Sequence, residues 1–293
     1  MRSPFKTIIV YDLETGGLKS TVNSITEIAC VAVNMETLEI VDEFSAMIKP
    51  YMDLSYIDAQ SMKQAKAIFV NIATPDPETK IKTMQYKGKG ITLKTLEEFA
   101  SDLDIFNKNY IDIEGPIISY EDYLKLEKSE FADVAKAYFD NTYNPQALEI
   151  THMSREMFVN EGVDRDVAFK QTKAFIEKHT QGNSKPIIAG HNIKGFDDAF
   201  LEKFFGDHGQ DLYKLINTLK IDTLEWARIR WFELANFALG TCANEVGLTL
   251  KEAHRALPDT VANAKFLIKM LKNLRGEGGQ QSKYVRRKFN CNF

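Results

Sequence analysis

Asp12 and Glu14 stand two residues apart, directly after an apolar, β-branched run from Thr7 to Val10. On a strand, that spacing points both side chains to the same face. Two adjacent carboxylates repel each other and are costly to bury. A hard cation such as Mg²⁺, which takes oxygen ligands of this kind, makes the pair tolerable. A solvated strand end carries the same pair, so it does not decide the matter alone. Asp197 and Asp259 add to it. Asp197 falls in the first turn of a helical pattern, near the middle of the stripe formed by Phe200, Leu201, Phe204 and Phe205. Asp198 lies off to one side. Asp259 follows Pro258 and opens a second helical pattern, with Ala262, Phe266, Leu267 and Met270 around its own direction. A helix start favours negative charge, so capping is the competing explanation for both. His254 lies five residues before Asp259. Its ordinary pKa of about 6.5 suits a base near neutral pH, although a lone histidine is as readily structural. Together these residues suggest one site where strand ends meet helix starts.

The elements around them have a consistent order. Strand patterns cover Thr7–Val10 and on into Asp12–Glu14, Ile25–Val33 and Glu39–Ile48, with a turn signal at Thr15-Gly16-Gly17. Short links between successive strands favour an antiparallel meander. Strands are again expected at Pro186–Ala189 and Lys220–Thr223. Helices are expected at Asp164–His179, Phe196–Phe205, Trp226–Phe232, Phe237–Val246 and Pro258–Leu274. An antiparallel start followed by strand–helix alternation indicates a mixed α/β sheet flanked by helices. Residues 51–143 form a separate compositional block, read as an ordered, partly helical insertion. Within it, Thr95-Leu96-Glu97-Glu98 has capping-box spacing ahead of Phe99, Leu103 and Phe106. Lys87-Gly88-Lys89-Gly90 reads as a turn, and Glu121–Phe139 as a helix.

The 293 residues are 44% hydrophobic and 27% charged, an ordinary globular composition with length for a sizeable core. No apolar run approaches the roughly 20 residues that span a bilayer, and the N-terminal stretch lacks the layout of a signal peptide. Cys30, Cys242 and Cys291 form no CxxC pair, which indicates neither a disulfide framework nor a zinc site. A cytoplasmic protein without membrane contact is therefore expected. The net charge of −4 argues against a protein that coats nucleic acid, though not against an enzyme that grips one strand end. Residues 275–293 carry five basic residues and one acid.

The chemistry-bearing residues resemble the motifs of the DEDD exonuclease superfamily, in its DnaQ-like, histidine-containing branch. The first motif is matched by Asp12-Leu13-Glu14-Thr15-Gly16-Gly17-Leu18. The second is matched by His191-Asn192 with Phe196-Asp197-Asp198-Ala199-Phe200-Leu201, and the third by His254 with Asp259. The tyrosine branch would have Tyr where Arg255 stands. Asn144-Pro145 to Met157, Ile221-Asp222-Thr223-Leu224 and Leu239 to Gly247 are similar to further family segments. The likeness spans residues 7–50 and 144–274. Three departures stand out: one extra residue around Lys194-Gly195, His152 one place after the family's histidine position at Thr151, and no counterpart for residues 51–143 or 276–293.

This resemblance implies an RNase H-like fold with a mixed five-stranded sheet. The exonuclease domain would span residues 1–275, interrupted by the insertion at about 51–143, with residues 276–293 as a basic tail. It implies a metal-dependent 3′→5′ exonuclease that releases nucleoside 5′-monophosphates from single-stranded DNA by a two-metal mechanism. Two Mg²⁺ or Mn²⁺ ions would be held by Asp12, Glu14, Asp197 and Asp259, with His254 as general base. Thr15, Gly17, Leu18, Met153 and Asn192 are the expected substrate contacts, each with an alternative as a turn or packing residue. An RNA-trimming exonuclease of the RNase T or oligoribonuclease type is the nearest rival. A non-catalytic nucleic-acid-binding scaffold is a more distant one, since all four acids and the histidine are present. The insertion is expected to bind a polymerase or other protein partner, cover the active site, or pack on the core.

Overall fold

The structure, a computed structural model, describes residues 5–55, 60–75, 82–83, 85–90, 92–111, 115–249 and 255–277. The apolar run at the start forms β1 (Thr7–Thr15), which continues through both acids of the first motif. β2 (Ile25–Asn34) and β3 (Ile40–Met47) follow as an antiparallel meander. On the other edge of β1, β4 (Ile187–Gly190) pairs parallel, and β5 (Lys220–Asp222) pairs parallel to β4. The sheet order is β5-β4-β1-β2-β3, so β1 is central and hydrogen-bonded on both sides.

Helices cover both faces. One face of β1 presents Ile9, Tyr11 and Leu13 to Phe169, Phe175 and Ile176 and to Phe200, Leu201, Phe204 and Phe205. The opposite face presents Ile8 and Val10 to Ala264, Leu267 and Leu271. Each large apolar side chain so buried stabilises the fold by about 1.5–3 kcal/mol. The period of two then places Asp12 and Glu14 on the same face as Ile8 and Val10, beyond the apolar part of that face.

The insertion builds its own hydrophobic cluster. Its helices are α1 (Ser61–Ile72), α2 (Leu93–Phe106), α3 (Tyr120–Leu126) and α4 (Ala132–Thr142). Phe69, Phe99, Leu103, Phe106, Tyr138 and Tyr143 are buried together, and Phe69 stacks on Phe99 at 4.6 Å. A two-residue ladder, Met52–Asp53 against Ile117–Ile118, closes its base. Two details differ from the sequence expectations. The capping box lies one turn earlier: Thr92 is the N-cap, and the Thr95 hydroxyl accepts from the Thr92 N–H at 2.6 Å. The single helix expected over 121–139 is two, because the Ser129 hydroxyl holds a turn between α3 and α4. That hydroxyl donates to the Leu126 carbonyl at 2.8 Å and accepts from the Phe131 N–H at 3.1 Å.

The chain then runs through α5 (Pro145–Ile150), α6 (Arg155–Glu161) and α7 (Arg165–Lys178) into β4. α8 (Asp197–Asp207) follows β4, and α9 (Thr223–Arg230) follows β5 directly. α10 (Leu239–Glu245) and the long α11 (Ala256–Leu274) complete the described chain. No helix among the described residues is long and apolar enough to cross a membrane. Cys30 and Cys242 are free and buried; Cys291 and the basic tail from residue 278 lie outside the described residues.

Candidate active site

The end of β1 and the start of α11 bring three acids together. Ligand oxygens of Asp12, Glu14 and Asp259 all lie within 4.8 Å of one another. Asp259 reaches the strand because it sits in the first turn of a helix whose apolar residues pack on β1 and β2. Burial and mutual repulsion act together on this cluster. The Asp12 carboxyl is held well above the usual carboxylate range by burial, then by Asp197, Glu14 and Asp259. Glu14 is pushed up to about 8 by burial and by Asp259, Glu27 and Asp197, with Arg255 acting in the opposite direction. Acids crowded this way are stabilised by a divalent cation, which replaces repulsion with shared coordination. An all-carboxylate donor set fits a hard ion such as Mg²⁺ or Mn²⁺, and none of its members favours a soft metal.

Asp197 approaches the same group from α8. Its Oδ1 accepts a hydrogen bond from the Leu13 N–H at 3.2 Å, between the two acids of β1. Burial pushes its pKa up to about 7, against the lowering effect of the Leu13 and Asp197 N–H groups. Asp198, next in the chain, turns away. Its Oδ1 accepts from the Tyr11 hydroxyl at 2.6 Å, and its Oδ2 from Lys220 Nζ at 2.8 Å. The extra residue of the second motif is absorbed by a 3₁₀ turn, Ile193–Gly195, so α8 starts at Asp197 with the phase its apolar stripe requires. Asn192 adopts φ 68° at the start of that turn and is exposed. Buried Asp222 fixes the turn, accepting from the N–H groups of Asn192 (3.0 Å), Lys194 (3.2 Å) and Leu224 (3.0 Å).

The remaining expected contacts differ in surroundings. The Thr15 hydroxyl donates to the Gly17 carbonyl at 2.7 Å inside the turn after β1. Leu18, next in that turn, is 84% exposed. Met153 is buried against Met47 and Phe158, where it fills a small apolar cluster. Thr151 is buried, with its hydroxyl donating to the Ala147 carbonyl at 3.1 Å, whereas His152 is exposed with φ 53°. His254 lies outside the described residues.

Several residues important to the site carry no motif. Asn23 is buried and welds the turn to the insertion: its Nδ2 donates to the Asn141 carbonyl at 2.9 Å, and its Oδ1 accepts from the Lys19 N–H at 2.8 Å. Asn71 on α1 joins the same network, donating to Asn141 Oδ1 at 3.0 Å and accepting from Asn144 Nδ2 on its carbonyl at 3.0 Å. Glu27 on β2 is the other. It pairs across the ladder with Glu14 and is buried. An acid inside the apolar run Ile25 to Val33 is a signal visible in the sequence.

No protein-family model matches the chain. Among known proteins it is similar to the PolC-type DNA polymerase III of Bacillus cereus, at 30% identity over 158 residues and 53% of this chain. The PolC-type polymerase of Bacillus subtilis is 29% identical over 165 residues, or 54% of this chain. The chain spans about 10% of the length of these relatives. Two solved structures of E. coli exonuclease I with bound DNA share its fold. The zinc-bound complex with single-stranded DNA has a TM-score of 0.53 and 14% identity, covering 93% of this chain and 41% of that one. The complex with a dT13 oligonucleotide has a TM-score of 0.53 and 13% identity, covering 93% and 43%. At 14% and 13% identity, the likeness to exonuclease I is one of fold. The mixed five-stranded sheet is the RNase H-like sheet expected from the sequence. The likeness to exonuclease I extends through the insertion, since it covers nearly the whole chain.

Proposed function

We propose that the protein is a metal-dependent 3′→5′ exonuclease acting on single-stranded DNA, and that Asp12, Glu14, Asp197 and Asp259 hold its metals. The observation that carries this is the convergence of Asp12, Glu14 and Asp259 within 4.8 Å at a strand end and a helix start. Two divalent cations bound there would activate a water and stabilise charge on the attacking and leaving oxygens.

The chain's own residues supply the rest. By family resemblance, Asp12, Glu14 and Asp259 would hold the ion that activates the attacking water, and Asp12 and Asp197 would hold the other. His254 takes the proton from that water. The water oxygen bonds to phosphorus, the 3′ oxygen of the shortened strand leaves with a proton, and a nucleoside 5′-monophosphate is released. The turn at Thr15, Gly17 and Leu18, which displays the exposed Leu18 side chain, holds the terminal nucleotide, and Asn192 borders the site.

Incubation with 3′- and 5′-labelled single-stranded DNA and RNA, with Mg²⁺ or Mn²⁺ or with chelator, tests this. The expected result is immediate release of labelled mononucleotide from 3′-labelled DNA and stepwise shortening of 5′-labelled DNA, both abolished by chelator. Release from the 5′ end, or full activity in Asp12→Ala, would sink the proposal. Faster turnover of the RNA arm would move the substrate to RNA.

A further inference from the structure

Glu27 lies beside the metal-binding acids without belonging to them. It faces Glu14 across the β1–β2 ladder, yet its oxygens are taken up elsewhere. Oε2 accepts from the Ala256 N–H at 3.2 Å and from Arg255 Nε at 3.2 Å, and Oε1 accepts from Arg255 Nη2 at 3.4 Å. Its side chain is only 5% exposed. One carboxylate therefore pins the first residue of α11 and the residue before it to the strand next to β1. Asp259 is three residues further on, in the same helical turn. Asp12 and Glu14 are fixed by β1, so the clamp sets the distance between the two halves of the acid cluster.

We propose that Glu27 and Arg255 form a positioning clamp that holds Asp259 against Asp12 and Glu14, and so sets divalent-cation affinity without ligating the ion. The inference rests on the reading of these acids as a metal centre. A carboxylate buried next to three others costs free energy by repulsion. The guanidinium and the helix N–H offset that cost, since both are oriented donors to an ionised acceptor. Outer partners that orient metal ligands typically change affinity 10–100-fold when removed.

A simple field effect predicts a different pattern, and the two can be separated. Glu27→Gln removes a negative charge, so both a field effect and a lost clamp weaken cation binding. Arg255→Ala removes a positive charge, so a field effect tightens binding, whereas a lost clamp weakens it. Arg255 is the more exposed partner, at 38%, so its removal leaves the fold intact even if Glu27→Gln does not fold.

Titration of each full-length protein with Mn²⁺ alone, read by the electron paramagnetic resonance of free Mn²⁺, gives the dissociation constants without using activity. Melting curves confirm that each variant is folded. The expected result is at least about a tenfold weaker Kd in both variants. An unchanged Kd in either folded variant, or a tighter one in Arg255→Ala, overturns the clamp while leaving the metal centre standing. Absence of Mn²⁺ binding in the unaltered protein overturns both.

Discussion

Asp197 and Asp198 share one helical turn but belong to different structures: Asp197 accepts from the Leu13 N–H at 3.2 Å, between the two acids of β1, whereas Asp198 accepts from Tyr11 and Lys220. The two carboxylates should respond oppositely to the same substitution. Asp197→Asn keeps an oxygen for the Leu13 N–H and removes a charge that repels Asp12. Its metal-free melting temperature should equal or exceed that of the unaltered protein, while activity falls roughly a hundredfold or more. Asp198→Asn leaves the Lys220 ammonium, 13% exposed, with only the more exposed Glu202, at 3.2 Å, as counter-charge. Removing the more buried of the two counter-charges costs up to about 3 kcal/mol, so the variant's melting temperature should drop with activity retained at lower temperature. Paired melting and activity assays decide it, and the reverse pattern would assign Asp198 to the metal.

The contrast shows what a sequence discloses about such a site. Asp12 and Glu14 are legible because a strand's period of two is rigid. Asp197 is legible because helix phase survives a one-residue irregularity, which the Ile193–Gly195 turn absorbs before α8 begins. Glu27 is not legible as a clamp, because its partner Arg255 lies 228 residues away along the chain. Its burial within an apolar strand marks it only as an anomaly. Likewise, the break at Ser129 depends on where one hydroxyl finds its partners, which hydrophobic periodicity does not report.

The raised carboxyl pKa values make stability depend on pH. Glu14 moves from 4.5 to about 8, and Asp197 from 3.8 to about 7. Folding therefore favours their protonated forms, and this contribution is fully present below about pH 4 and lost as pH rises through about 8. The metal-free protein should melt at a progressively lower temperature between pH 5 and pH 8.5, as measured in chelator. Added Mn²⁺ should raise the melting temperature more at pH 8 than at pH 5.5, because at low pH it competes with protons for the same oxygens. Glu14→Gln should flatten the metal-free profile. A flat profile in the unaltered protein would contradict the crowding.

Gly16 is where the insertion meets the turn after β1. A Cβ there would come within 2.3 Å of the Thr142 carbonyl oxygen and 3.0 Å of the Tyr143 Cα, both backbone atoms that cannot rotate away. The Gly16 carbonyl also accepts from the Asn144 N–H at 2.7 Å. Gly16→Ala must push the end of α4 away from the turn, at a cost of about 1–3 kcal/mol. Limited proteolysis should show earlier cleavage within residues 51–143, together with a raised KM for oligonucleotide. Unchanged proteolysis and kinetics would mean that the turn and the insertion adjust independently.

Leu18 offers a test of substrate contact in which folding does not interfere. At 84% exposure its side chain buries little apolar area in the protein and contributes little to stability. Its neighbours in the turn are nonetheless held rigidly, with Thr15 bonded to Gly17 and the Lys19 N–H bonded to Asn23. A rigid turn that displays an apolar side chain next to a cluster of acids suits the face of a terminal base. Leu18→Ala should leave the melting temperature unchanged. It should raise KM for a single-stranded oligonucleotide about tenfold, the loss of roughly 1.4 kcal/mol of buried side chain, with kcat nearly constant because the reacting phosphate is held elsewhere. A fall in kcat at constant KM would instead tie Leu18 to the chemical step, and no kinetic change would remove the turn from the binding surface.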